Sequence, residues 1–409
     1  MDQERESHLW GGKPRLLAML AILVVLGYLT ATWLDFSRRP SARSGEVRAA
    51  DPSLFYSPWN WYDDGSALQT THLGAWLKFG WTGRNLSLKV DVTMADRAGI
   101  APEAYPVIGY SIDGGPMHAL QLVRGDRERM LASNVPEGRH RCHAYLRWIG
   151  FGAERWRAGR QVALWRVTGL QLDPEGTTYR DPDLRPRRAL FFGDSILDGA
   201  FNRGAETDSF QAWPEVVAER LDAEPGRVGF EGQSYAISGN PGNGNVPALF
   251  IPQNPRESTW DLIDSFHPRL ADGRFSPRPD FVFFSHGAND AIGHVPFDQV
   301  EASVRGLLPK IRTASGPLAS IFVVIPFEGF NRAPIRAAFV AYQNASPDSK
   351  CHLIDLGDEA SSRVEDLVEG KPARRSFDGL HPNSAMHARL GAMVADRVIA
   401  ILSEPGRER

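Results

Sequence analysis

Five short apolar runs recur through the second half of the 409-residue chain, at 189–192, 227–231, 280–285, 320–325 and 352–356, with amphipathic stretches between them. In those stretches apolar residues return at helical spacing. Trp213, Val216, Val217 and Leu221 share one face, and Met386, Leu390, Met393, Val394 and Val398 share another. Buried strands alternating with helices predict a three-layer α/β domain built on a parallel sheet, here over 187–403.

The first half is patterned differently. Leu86 to Met94 alternates apolar and polar residues strictly, the period of a half-buried strand. Further short apolar runs lie at 107–112, 117–123 and 162–172, and Asp113-Gly114-Gly115 is placed as a hairpin turn between the first two. Together they predict an all-β sandwich over 53–180, closed by the Pro-rich, charged stretch from Asp181 to Arg188.

Residues 35–52, rich in Arg, Ser, Pro and Ala, read as a linker. Before it, residues 16–34 carry no charge, and 19 residues approach the ~20 that a helix needs to cross a bilayer. The run exceeds the roughly 7–15 apolar residues of a cleaved signal peptide, so an uncleaved transmembrane signal anchor behind a short tail, 1–15, is expected. Arg5, Lys13 and Arg15 on one side balance Arg38, Arg39 and Arg43 on the other, and flanking charge does not choose a side.

Composition narrows the function. A net charge of -3, with no extended block of Lys or Arg, gives no electrostatic footprint for nucleic acid. Two cysteines, Cys142 and Cys351, exclude a disulfide scaffold or a four-cysteine metal site. His140, Cys142 and His143 lie on adjacent strand positions that point to opposite faces, which argues against a metal site there. The sequon Asn85-Leu86-Ser87 falls within a strand, so glycosylation is not expected.

Four short motifs each follow an apolar run. Gly193-Asp194-Ser195-Ile196 places a hydroxyl just past a strand end, where ligands bind in open α/β sheets, although Asp and Ser also suit a helix N-cap. Ser238-Gly239-Asn240 has a glycine whose amide could face an oxyanion. Ser285-His286-Gly287-Ala288-Asn289-Asp290 offers a side-chain amide for the same purpose, or a simple turn. Asp378-Gly379-Leu380-His381-Pro382-Asn383 supplies an imidazole and, three residues earlier, a carboxylate to hold its tautomer.

In this order the motifs resemble those of SGNH hydrolases, the GDSL esterase and lipase superfamily, over about 189–402. The resemblance implies that Ser195 is the nucleophile, that His381 and Asp378 complete a triad, and that the Ser195 amide, Gly239 and Asn289 form the oxyanion hole. Gly242 and Gly244 lie close to Gly239 in similar sequence. No cofactor is implied. A sandwich before the hydrolase is similar to the jelly-roll arrangement of carbohydrate esterase family 2. That implies an acylated carbohydrate or small ester as substrate, O-acetyl groups first, with the catalytic region extracytoplasmic. An O-acyltransferase, a lipase or thioesterase, and a degenerate glycan-binding protein are the alternatives. Trp59, Trp61, Trp76, Trp81, Trp148, Trp156 and Trp165 suit either sugar stacking or a sandwich core. The stretch 240–280, with Trp260, reads as a cleft rim.

Overall fold

The computed structural model describes residues 45–150, 152–238, 246–255, 258–363, 365–368 and 371–404. The expected anchor at 16–34, its tail and most of the linker lie outside them. Among the described residues no helix is long and apolar enough to cross a membrane.

The N-terminal region consists of two antiparallel sheets. One runs Tyr62–Asp63, Leu68–Thr70, Trp165–Leu172, Leu86–Val90, Glu128–Ala132. The other runs Thr178–Tyr179, Trp76–Gly83, Gly138–Trp148, Val107–Ile112, His118–Gln121. The hairpin turn falls where expected, with Asp113 and Gly114 both at positive φ. Two differences stand out. Glu46–Arg48, expected within the linker, pairs with Gly169–Gln171 as a strand. The strand from Leu86 stops at Val90, and a short helix, Thr93–Ala98, takes over.

Side-chain alternation decides what each sheet face covers. On strand Trp76–Gly83, Leu77, Phe79 and Trp81 enter the core between the sheets, against Leu86, Leu88, Val90 and Trp165. Trp76 and Lys78 point the other way. Trp76 Nε1 donates to Pro225 O at 2.8 Å, and Lys78 pairs with Glu224 at 2.6 Å. On strand Gly138–Trp148, Cys142, Ala144 and Leu146 likewise face inward, while Tyr145 bonds Asp208 and the His143 ring meets Phe210. Both faces of this sheet are therefore buried, one in the sandwich and one on the hydrolase region. Six of the seven tryptophans noted above are buried and Trp148 is half-buried, so of the two readings of these rings the packing one holds.

The C-terminal region is an α/β sheet of five parallel strands: β1 (Arg187–Gly193), β2 (Ala223–Gly229), β3 (Phe281–Ser285), β4 (Ser320–Val324) and β5 (Cys351–Ile354), in the order β2-β1-β3-β4-β5. Phe191, Phe283 and Phe322 are register partners and stack at 4.6 and 5.0 Å on one face. There they pack against helices α2 (Trp213–Arg220) and α6 (Ser384–Ser403). Leu190, Phe192, Val282 and Phe284 face helices α4 (Phe297–Ser315) and α5 (Arg332–Ala345) on the other side.

Strand β2 starts four residues earlier than the apolar pattern suggested. Its Pro225 lacks a donor, which an edge position tolerates. Gly226 leaves room for the Trp59 ring and the Pro58 carbonyl, each 2.5 Å from where a Cβ would sit. Trp59 thus lies in the core of the hydrolase region, and residues from Gly45 onward form one compact unit. Of the 240–280 stretch, expected as a cleft rim, most of the described apolar residues pack inward. Val246, Leu249, Phe250, Trp260 and Ile263 are buried against the hydrolase core or the sandwich junction, because an irregular segment with this many apolar side chains gains more by burial than by forming a rim.

Replacing Trp76 by Ala removes a buried ring and leaves the Pro225 carbonyl unpaired. Chemical denaturation is expected to show a loss of about 3–5 kcal/mol; a loss under about 1 kcal/mol would mean that the junction packs independently of this ring.

Candidate active site

The chain leaves β1 for β2 on one side and reaches β3 on the other, so the crevice beyond the carboxyl ends of β1 and β3 is the switch point of the sheet. Gly193 ends β1 and must be small, since a Cβ would lie 2.4 Å from Leu197 Cβ. Asp194 is extended and caps helix α1 (Ser195–Asp198), its carboxylate accepting the Ile196 amide at 3.0 Å. Ser195 opens that single turn at the floor of the crevice.

The segment before α6 meets it. Asp378 Oδ1 accepts the amides of Leu380 and His381 at 2.9 and 2.8 Å, a local turn that fixes the carboxylate beneath the imidazole. Oδ2 lies 2.6 Å from His381 Nδ1, and His381 Nε2 lies 2.9 Å from Ser195 Oγ. From below, Ser362 Oγ donates to Leu380 O at 3.0 Å, while Glu328 accepts from Ser361 and Ser362. Burial pushes Asp378 up, but the hydrogen bonds from the His381 amide, the His381 ring and the Leu380 amide outweigh it and hold the carboxyl below its usual range. An ionised Asp378 favours the tautomer with a proton on Nδ1, leaving Nε2 to accept from Ser195. Other histidines are unsuited to this work: burial pushes His286 and His387 down to about 3.

Helix α3 (Ala288–Ile292) brings up Asn289. Its Nδ2 donates to Gln233 O at 3.0 Å and to Asp194 Oδ2 at 3.2 Å, next to Ser195. Asp290 accepts the amides of Tyr235 and Ala236 at 2.8 and 3.0 Å, lacing the loop after β2 onto α3. That loop leads to Gly239, which lies outside the described residues together with Gly242 and Gly244. Ser195, Asn289 and the Asp378–His381 pair, which come from three different motifs, are thus brought together.

Sequence reasoning offered Asp194 only as a helix N-cap, which it is, and gave no part to Gln233 or to the Asp290 carboxylate, whose roles depend on loop contacts that spacing does not encode. It also missed Phe201, half-buried at φ 57, whose ring meets His381 edge-on at 5.2 Å. Phe377 stacks on Phe201 at 6.5 Å and is 55% exposed. Its place just before Asp378 was visible, but its exposure was not. Among the described residues no three His, Cys, Asp or Glu side chains gather to hold a metal ion.

An open α/β sheet with a hydroxyl, an imidazole and a carboxylate in line at its switch point suits nucleophilic acyl transfer, and with the family match that follows the class is that of the carboxylic ester hydrolases. Residues 191–389 match the model of the GDSL-like Lipase/Acylhydrolase family, and this region belongs to that family. Solved structures resemble almost the whole chain. A family two carbohydrate esterase from Cellvibrio japonicus is 18% identical with a TM-score of 0.65, covering 87% of this chain and 97% of its own. The acetyl xylan esterase Est2A from Butyrivibrio proteoclasticus is 14% identical with a TM-score of 0.64, covering 87% and 98%. The salicylyl-acyltransferase SsfX3, from a tetracycline biosynthetic pathway, is 14% identical with a TM-score of 0.57, covering 88% and 99%. At such identities the likeness is one of fold, and it extends to the sandwich before the hydrolase. No curated protein sequence matches the chain significantly.

Burial raises Asp194 to about 7, with Asp198 and Asp290 adding to the effect, and raises Glu231 to about 7 as well. Between the ordinary carboxylate range and about 7 the native state holds protons that the unfolded chain has released, so these two groups make stability fall as pH rises through that window. Denaturation at intervals from about pH 5 to 8 is expected to show a shallower fall in Asp194→Asn than in wild type; an unchanged slope would remove Asp194 as a source.

Proposed function

We propose that the protein is a serine esterase that removes short acyl groups, O-acetyl first, from a carbohydrate. The observation that carries this reading is the continuous line from Asp378 through His381 to Ser195 at the switch point. In the proposed cycle His381 takes the Ser195 proton as Oγ attacks the ester carbonyl, and Asp378 stabilises the imidazolium that forms. The Ser195 amide, the Asn289 side chain and Gly239 receive the oxyanion. Both Asn289 protons are engaged in the resting site, and the longer bond, to Asp194, is the one that substrate would replace. His381 then protonates the departing alcohol, and water, activated the same way, releases the acid.

The carbohydrate part of the proposal is supported by the likeness to family two carbohydrate esterases over the sandwich and hydrolase together. The likeness to an acyltransferase favours a second reading, in which a sugar hydroxyl replaces water as acceptor. Product analysis separates the two: free acetate marks the esterase, transfer to an added glycan the acyltransferase. We further propose that residues 16–34 anchor the protein, with the catalytic region extracytoplasmic. A reporter fused after Arg409 that works only in the cytoplasm would reverse the topology.

Ser195→Ala and His381→Ala are each expected to lower kcat on an aryl acetate nearly as far as the double substitution, because the groups act as a unit. Asn289→Ala, which removes one of three donors, is expected to lower kcat by about 10²–10³ with KM little changed. Near wild-type turnover by Ser195→Ala would overturn the nucleophile assignment.

A further inference from the structure

Helix α1 is four residues long and a single turn has almost no cooperative stability of its own, so its orientation has to be imposed from outside. One of the groups that imposes it comes from the sandwich region. Arg155 lies in the segment joining strands Gly138–Trp148 and Trp165–Leu172, yet its guanidinium is buried among hydrolase residues. Two bonds fix it on the sandwich side: Arg155 Nε donates to Thr71 O at 2.9 Å, and Thr71 Oγ1 donates to Arg155 O at 2.9 Å. Two more reach across. One terminal nitrogen donates to Asp198 Oδ2 at 2.9 Å and the other to Gly229 O at 3.0 Å, with the Phe230 ring 5.2 Å from the guanidinium.

Both recipients lead directly to the site. Asp198 is the last residue of α1, whose first is Ser195, and it is fully buried. Gly229 is the last residue of β2, and the chain leaving it brings the Gln233 carbonyl to Asn289. The fit is close enough that a Cβ on Gly229 would lie 2.5 Å from Asp198 Oδ1. A planar fork with fixed donors suits such a junction, since it sets the angle between the two recipients as well as their distance.

We propose that Arg155 is a positioning residue for catalysis, a bolt from the sandwich region that fixes α1 against the end of β2 and so aims Ser195 at His381 and the oxyanion donors. The proposal rests on the reading of Ser195 as nucleophile. It makes the sandwich region part of the catalytic scaffold as well as a neighbour of it. Burial raises the Asp198 carboxyl and Arg155 is the main group lowering it again, as a designed partner would.

The test uses the full chain. Arg155→Met takes from buried Asp198 its hydrogen-bonded counter-charge, leaving only the charge of Arg227 to act on it, and strongly destabilises the fold, so the decisive variant is Arg155→Met with Asp198→Asn, which removes both charges of the pair. Its melting temperature is expected to recover most of what the single substitution loses. If Arg155 positions Ser195, kcat on an aryl acetate stays lower than wild type by about 10- to 100-fold, as for a reacting atom displaced by about 1 Å. KM is expected to stay within about threefold of wild type, and the rate of Ser195 phosphonylation by a small fluorophosphonate to fall in step with kcat. A double variant that regains both stability and wild-type kcat would reduce Arg155 to a structural role. Wild-type protein that is not phosphonylated at Ser195 would instead remove the nucleophile reading, whereas equal labelling of wild type and double variant would remove the positioning role alone.

Discussion

The hydrogen bond between Ser195 Oγ and His381 Nε2, 2.9 Å long, joins residues 186 apart in sequence, and the layers of the hydrolase region are arranged so that it can form. Ser195 is carried by the end of β1, between β2 and β3 in the sheet. His381 is carried by a loop that leads into α6, and α6 packs with α2 on the Phe191–Phe283–Phe322 face of the sheet. The two side chains meet because α6 is seated on the sheet by Leu390, Val394 and Val398, all fully buried. Hydrophobic burial sets the coarse distance. The Asp378 turn and the Glu328–Ser362–Leu380 contacts then set the last ångström.

Polar groups at the crevice show how much of a site is its support. Asp194, Asp198 and Asp290 are buried carboxylates around Ser195, costly in a protein interior unless their oxygens are matched. Asp194 accepts from Ile196 and Asn289, Asp290 from two amides of the loop after β2, and Asp198 from Arg155 through Oδ2 alone, its Oδ1 being unpartnered among the described residues. Each joins two segments that the fold alone would leave adjustable. The sandwich sheet that contains strands Trp76–Gly83 and Gly138–Trp148, through Trp76, Lys78 and Tyr145, closes the same arrangement from the N-terminal side.

Much of this was legible in the sequence for a physical reason. The strands of a parallel sheet are buried on both faces, so their apolar runs stand out, and β1, β3, β4 and β5 appear close to where the runs lie. The edge strand β2 contains Pro225, Gly226 and Arg227, which carry little strand signal, and its start was missed. Ser195, Asp378 and His381 stood out as candidates because each sits in a compact motif beside a strand or helix end, and the structure brings them within hydrogen-bond distance. Tryptophans of the sandwich were ambiguous because composition reports aromatic content without saying which face is covered. Only the register of Trp76–Gly83 reveals that one face packs inward and the other on Pro225 and Glu224. Contacts such as Arg155 with Asp198 join distant segments through side chains that have no periodicity at all.

The central claim is that Ser195 becomes acylated during turnover. The most direct measurement is to quench the protein with acid while it is turning over an aryl acetate and to map its peptides by mass spectrometry. The account predicts a gain of one acetyl group on the peptide that contains Ser195, forming and decaying at rates compatible with kcat. An acetyl group on a different residue throughout turnover, with the Ser195 peptide unmodified, would contradict it.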